Sequence, residues 1–361
     1  MAKTHACFYA DDDYDTSRYL KSLISSFRSD PHVLHTVADP DTFHLNLVWT
    51  YFDSKIDLHT GFSWIGCGSV FLRAHAERHL RLINFFLTNQ SSLIPLSDVF
   101  FSIWLNDIPL QINTNTRHFP RTSRRPDVAF SGTQNFLNLQ RDSAILAIKI
   151  LEHSLRSTQP YVRYFPRKQN RRSQYYVKST GLKDDFTFYT NALPIDIEHI
   201  SFNISRDYMR GTPQNHPRGP NLHFFRAHTT IKAVDGDYET CWRLNRSVRI
   251  GDFFAIDLLH IRTNIKFALR IGHEVIMQKR LTVCISLDNV SWMPYRSRKG
   301  VFFTAVNNTY GFQHSVLFDS SKFMMGFKSF RYIIFNATAS FRTTFSVCEV
   351  DLIKVNTVEF V

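Results

Sequence analysis

The residues whose types and spacing best suit chemistry are Asp11, Asp12 and Asp13, which follow the short strand-like run His5 to Ala10. Three adjacent carboxylates repel one another. A hard divalent cation relieves that repulsion, because Mg²⁺ and Mn²⁺ prefer carboxylate oxygens and share their shell with substrate phosphates. The carboxyl end of a strand is also where open α/β sheets bind ligands. The competing reading is a solvated acidic turn that caps the following helix and complements its dipole. A calcium loop is not indicated. Asp11, Asp13 and Asp15 have its one-three-five spacing, but Thr16 replaces Gly at the sixth position and Ser22 replaces Glu at the twelfth.

Two further places carry chemical potential. Trp64-Ile65-Gly66-Cys67-Gly68-Ser69 sets two glycines inside an apolar segment, which suits close approach of a ligand or simply a tight turn. Asp98, behind Ser97 as cap, opens a helix; there it suits a general base on a sugar hydroxyl or a surface acid that complements the helix dipole.

The elements that must position these residues follow from hydrophobic period. Tyr19, Leu20, Leu23, Ile24 and Phe27 have helical spacing, started by Asp15 or Thr16 and stopped by Ser29-Asp30-Pro31. Helices are also expected over Arg73 to Leu87, from Ser97 through Trp104, and over Arg141 to Leu155. With strands at His32 to Val37 and Leu45 to Phe52, this half reads as mixed α/β. A basic run, Arg167 to Arg172, marks a linker placed at residues 158 to 190. Beyond it the apolar runs Phe253 to Leu258, Leu281 to Ser286, Phe330 to Phe335 and Phe345 to Ile353 are short and strand-like, which predicts an all-β sandwich or jelly roll over 191–361.

The 361 residues and their 43% apolar, 20% charged composition suit two folded domains and argue against general disorder. Lys plus Arg number 43 against 31 Asp plus Glu, and 43 − 31 gives +12, which favours anionic partners. No stacking platform or recognised motif supports nucleic acid as that partner. No apolar run of about 18 residues appears, so no transmembrane segment is expected. The beginning of the chain lacks the apolar core and cleavage site of a secretory signal. Cys7, Cys67, Cys241, Cys284 and Cys348 form no CxxC pair and are read as small buried hydrophobes, with no disulfide framework. Sequons at Asn89, Asn203, Asn245, Asn289, Asn307 and Asn336 exceed chance and point to the secretory lumen.

The ordered set of Asp11-Asp12-Asp13, Trp64 to Gly68, Ser97-Asp98 and Asn138-Leu139-Gln140-Arg141 resembles the carboxyl half of a GT-A glycosyltransferase with a DXD motif, of the exostosin-like and related fungal-type families. The resemblance covers residues 3 to 155. It implies a partial GT-A α/β domain over 1–157 that moves a sugar from a UDP-sugar donor to a glycan acceptor in the Golgi lumen. Asp11 and Asp13 would face Mn²⁺ or Mg²⁺, and Asp12 would lie beside the ribose or donor sugar. Trp64, Gly66 and Gly68 would line the cleft, and Asp98 would be the base of an inverting enzyme or orient the acceptor of a retaining one. Several βα units precede the DXD strand in that family, but ten residues precede Asp11 here. A fragment, a mispredicted start or a degenerate paralogue is therefore expected, with weak UDP binding and little or no transferase activity.

Ala233 to Trp242, Gly251 to Leu258 and Ser286 to Trp292 are similar to the turn, strand and hairpin of a discoidin (factor 5/8 type C) domain, with Phe253 in place of the usual Trp. Trp242 and Trp292 are expected in its core. Arg296, Arg298 and Lys299, near Tyr295, are loop cations that could meet an acidic glycan. The alternative function is thus a non-catalytic protein that binds carbohydrate or an anionic surface through the β-sandwich.

Overall fold

A computed structural model describes residues 4–11, 14–39, 50–53, 55–114, 134–157, 176–192, 224, 227–244, 246–271, 280–295, 304–306, 314–319, 329–342 and 345–357. Asp12, Asp13, the basic run Arg167 to Arg172 and the loop residues Arg296, Arg298 and Lys299 lie outside them. The chain divides into two compact units, one comprising Met1–Ser173 and Ile195–Gly219, the other Gln174–Pro194 and Pro220–Val361.

The first unit is mixed α/β. Its elements are β1 (Ala6–Tyr9), α1 (Leu20–Ser29), β2 (His35–Ala38), β3 (Thr50–Asp53), β4 (Leu58–Gly61), β5 (Ser69–Leu72), α2 (Arg73–Phe86), α3 (Ser97–Trp104), β6 (Leu110–Asn113) and α4 (Gln134–Arg156). Strands follow the order β1-β5-β2-β6, with β2 and β6 parallel and the other neighbours antiparallel. β3 and β4 form a separate antiparallel pair.

Asp15 starts the approach to α1, its carboxylate accepting the Ser17 N–H at 3.0 Å. Tyr19, Leu23 and Phe27 recur every four residues and pack on Val37, Val70 and Ile112 of the sheet. A second cluster joins α2, α3 and α4 through Leu82, Val99, Phe100, Ile103, Trp104, Ile148 and Leu151. The buried Trp104 indole donates to the Ala147 carbonyl at 3.1 Å, so its one polar atom is satisfied.

The second unit is a β-sandwich. It comprises β7 (Val177–Thr180), β8 (Thr187–Thr190), β9 (Trp242–Arg243), β10 (Phe253–Ile271), β11 (Leu281–Ser286), β12 (Met293–Pro294), β13 (Thr304–Val306), β14 (His314–Asp319), β15 (Ser329–Ala337) and β16 (Ser346–Thr357). The segment 158–190, read from sequence as linker, therefore holds β7 and β8. Residues 253–257 of β10 pair with β8 and β15, whereas residues 266–271 pair with β14 and β16. The register shifts between Asp257 and Arg262, where Leu259 takes φ 63°, so one long strand serves both layers.

Alternation sends Phe254, Ile256, Val283, Ile285, Ile333 and Phe335 inward, where they share a core with Trp242, Phe267, Leu269 and Val350. Phe254 stacks on Phe335 at 4.6 Å between centroids. Two of the five cysteines are bridged and are not simply small buried hydrophobes. Antiparallel pairing of β9 with β16 brings Cys241 to Cys348 and the two form a disulfide across 107 positions of sequence, a proximity no local spacing reveals. Cys7, Cys67 and Cys284 keep their thiols.

Candidate functional site

β1 delivers Asp11 to the 64–68 segment. The Asp11 N–H donates to the Gly66 carbonyl at 2.8 Å. A Cβ on Gly66 would stand 2.1 Å from Asp11 Oδ2 and 2.6 Å from Trp64 Nε1, so only glycine lets the carboxylate and the indole share this space. Tyr9, two residues earlier on the same face of the strand, donates its hydroxyl to Asp11 Oδ1 at 2.8 Å. Burial first, then the bond to Asp11 and the charges of Asp11 and Asp98, push the Tyr9 hydroxyl up to about 12. It therefore remains a donor across the physiological range.

Asp98 lies in the first turn of α3. Ser97 is already helical, so Leu96 is at the cap position, where its hydrocarbon side chain makes no cap bond. Burial lifts the Asp98 carboxyl to about 6, opposed by the N–H groups of Val99 and of Asp98 itself, while the charge of Asp11 adds to the rise. Asp11, Trp64 and Gly66, each nominated from the sequence, thus meet, with Tyr9 as the member that was missed, and Asp98 is linked to them through charge alone, acting on Tyr9 and acted on by Asp11. Its signal was its i, i+2 relation to Asp11. Gly68 answers to a different neighbour: at φ +129° its backbone faces the Tyr19 ring, which an added Cβ would meet at 2.8 Å. The Tyr19 hydroxyl in turn donates to the Cys67 carbonyl.

A carboxyl near 6, raised in part by the charge of a second carboxylate, suits acid–base chemistry close to neutral pH. Among the described residues no group of three or more His, Cys, Asp or Glu side chains could hold a metal ion. Asp13, which the transferase resemblance sets with Asp11 on Mn²⁺ or Mg²⁺, lies outside the described residues.

In the second unit the signature residues have legible local roles. Asp235 accepts the Asp237 N–H at 3.2 Å and the Thr240 hydroxyl at 2.9 Å, while Gly236 takes φ +77°. Asp252 receives both terminal nitrogens of Arg246 at 2.7 and 2.9 Å. Asp257 receives Arg331 in the same two-pronged way, at 2.7 and 2.9 Å. Asp288 accepts the Ser291 and Val290 N–H groups and the Ser286 hydroxyl, which hold its carboxyl down at about 2. Trp242 is in the core as expected. Trp292, expected in the core, is only partly buried just before the two-residue β12.

No family model matches the chain, and no curated protein matches it. Solved structures to which part of the chain is similar include carbohydrate-binding modules. One is the module CBM32-1 of a family 31 glycoside hydrolase from Clostridium perfringens, at 22% identity and TM-score 0.25, covering 34% of this chain and 83% of that one. Another is a fucose-binding module from Streptococcus pneumoniae, at 19% identity and TM-score 0.23, covering 34% of this chain and 79% of that one. A fragment of a putative chitobiase from Bacteroides thetaiotaomicron is similar at 16% identity and TM-score 0.28, covering 39% of this chain and 83% of that one.

Proposed function

We propose that the protein binds carbohydrate through its β-sandwich unit. The observation that carries this reading is the placement of the discoidin-type residues. Asp235 and Gly236 in the turn, Asp252 and Asp257 flanking the first part of β10, and Ser286 with Asp288 in the hairpin are all engaged within one closed sandwich. The Cys241–Cys348 disulfide supports an oxidising, secretory location, as do the sequons. A glycan-array screen of the complete chain tests the reading: specific capture of a defined set of saccharides is expected, and no capture of any sugar contradicts it.

One observation favours a second reading. The meeting of Asp11, Tyr9 and Gly66, with Asp98 linked to them through charge, supports glycosyl transfer from a UDP-sugar in the first unit, with Asp98 taking the acceptor hydroxyl proton. Turnover of UDP-sugar, expected to be weak in the parent, is then expected to fall further in Asp98→Asn. Equal turnover in variant and parent eliminates this role for Asp98.

A further inference from the structure

The turn 235–240 is pinned to β16 in more than one way. The Gly236 N–H donates to Glu349 Oε2 at 2.8 Å, and Cys241 is bonded to Cys348. In the middle of this anchored turn, Tyr238 keeps 42% of its surface exposed. Its hydroxyl donates to Asp351 Oδ1 at 3.4 Å, and the Arg270 guanidinium lies over its ring, 3.5 Å from the centroid. Arg270 Nε is 4.0 Å from Asp351 Oδ2. Arg270 and Asp351 emerge on the same face of the β10–β16 pair, opposite Ile271, Leu269 and Val350, which point to the core.

Tyr238 is held by these contacts and left partly in water, beside a planar donor fork and a carboxylate. With the guanidinium over one face, the opposite face of the ring offers amphipathic area with little rotamer entropy to lose, which suits the apolar C–H face of a pyranose. The guanidinium and carboxylate suit its hydroxyls, one as donor and one as acceptor. Charge narrows the class. Among the described residues of the turn and its partners, the acids Asp235, Asp237, Glu239, Glu349 and Asp351 outnumber the cations Lys232 and Arg270, which disfavours an anion although the whole chain is basic.

We propose that Tyr238, Arg270 and Asp351 form a binding site for an uncharged pyranose. The proposal rests on the carbohydrate-binding reading of this unit and gives it an address. The test titrates the complete chain and its Tyr238→Ala, Tyr238→Phe and Arg270→Gln variants with methyl glycosides of glucose, galactose, N-acetylglucosamine, fucose and glucuronate. Melting of each variant reports its fold. At least one uncharged glycoside is expected to bind the parent, with affinity falling about tenfold or more in Tyr238→Ala and in Arg270→Gln and changing much less in Tyr238→Phe. Nitration of Tyr238 in the parent, slowed by saturating glycoside, supplies a readout that needs no variant. Undiminished binding in Tyr238→Ala and Arg270→Gln, or a nitration rate indifferent to glycoside, overturns this site while the carbohydrate reading survives. Preference for glucuronate overturns the charge argument and with it the ligand class. Failure of the parent to bind any of the glycosides overturns both the site and the reading beneath it.

Discussion

Gly66 shows how a single missing side chain shapes the first unit. In Gly66→Ala the new methyl must displace the Asp11 carboxylate or the Trp64 indole, which it would meet at 2.1 and 2.6 Å. A loss of about 1–3 kcal/mol is expected by denaturant titration, as for other overpacked sites. Gly251→Ala is the contrast: nothing lies within 4 Å of its Cβ, and its cost comes from φ +86° alone. In the second unit, Glu349 is 4% exposed, and burial first, with the charges of Asp351 and Asp235, lifts its carboxyl from 4.5 to about 8. A raised acid is bound by a proton more tightly in the native state. The native state is therefore favoured fully below about 4.5 and loses that advantage as pH rises toward 8. Stability measured against pH is expected to slope downward over this window in the parent and to flatten in Glu349→Gln. The residues that approach one another here were legible in the sequence as types, since Asp11 and Gly66 each stood out alone. Their meeting was not, because it depends on β1 running beside β5.

Elements were read with uneven success, for physical reasons. α2 and α3 start where apolar period and a change of polarity predicted, at Arg73 and Ser97, and β11 matches its alternating run from Leu281 to Ser286. β10 extends far beyond the expected Phe253 to Leu258, because a bulge lets the strand continue through Arg262 and Lys266, where charge hides the strand signal. β7 and β8 were missed because they are four residues each and rich in threonine and serine, with only Val177, Phe188 and Tyr189 as large apolar members. The disulfide between β9 and β16 closes a chain of 107 positions. Its removal in Cys241→Ser/Cys348→Ser is expected to cost about 4–5 kcal/mol on the chain-entropy account, read as a lower melting temperature. Thiol reduction that leaves melting unchanged contradicts that weight. The Asp257–Arg331 pair makes a second claim at this scale. Asp257 is 1% exposed, so Asp257→Ala strands a guanidinium between β10 and β15 and is expected to cost about 3–5 kcal/mol.

On the scale of the molecule, each unit carries its own core. The first brings a carboxylate, a tyrosine and a glycine bend together; the second is a disulfide-closed sandwich whose signature acids are spent on turns and ion pairs. That division is why charge alone was a poor guide. The net +12 of the chain does not describe the acidic surroundings of Tyr238. Among the described residues no helix is long and apolar enough to cross a membrane.

The most direct test of the central claim is capture of immobilised saccharides by the intact, oxidised chain. Selective retention of particular glycans, competed by the free sugar, is the result expected. Equal passage over every glycan and over an underivatised surface would contradict it.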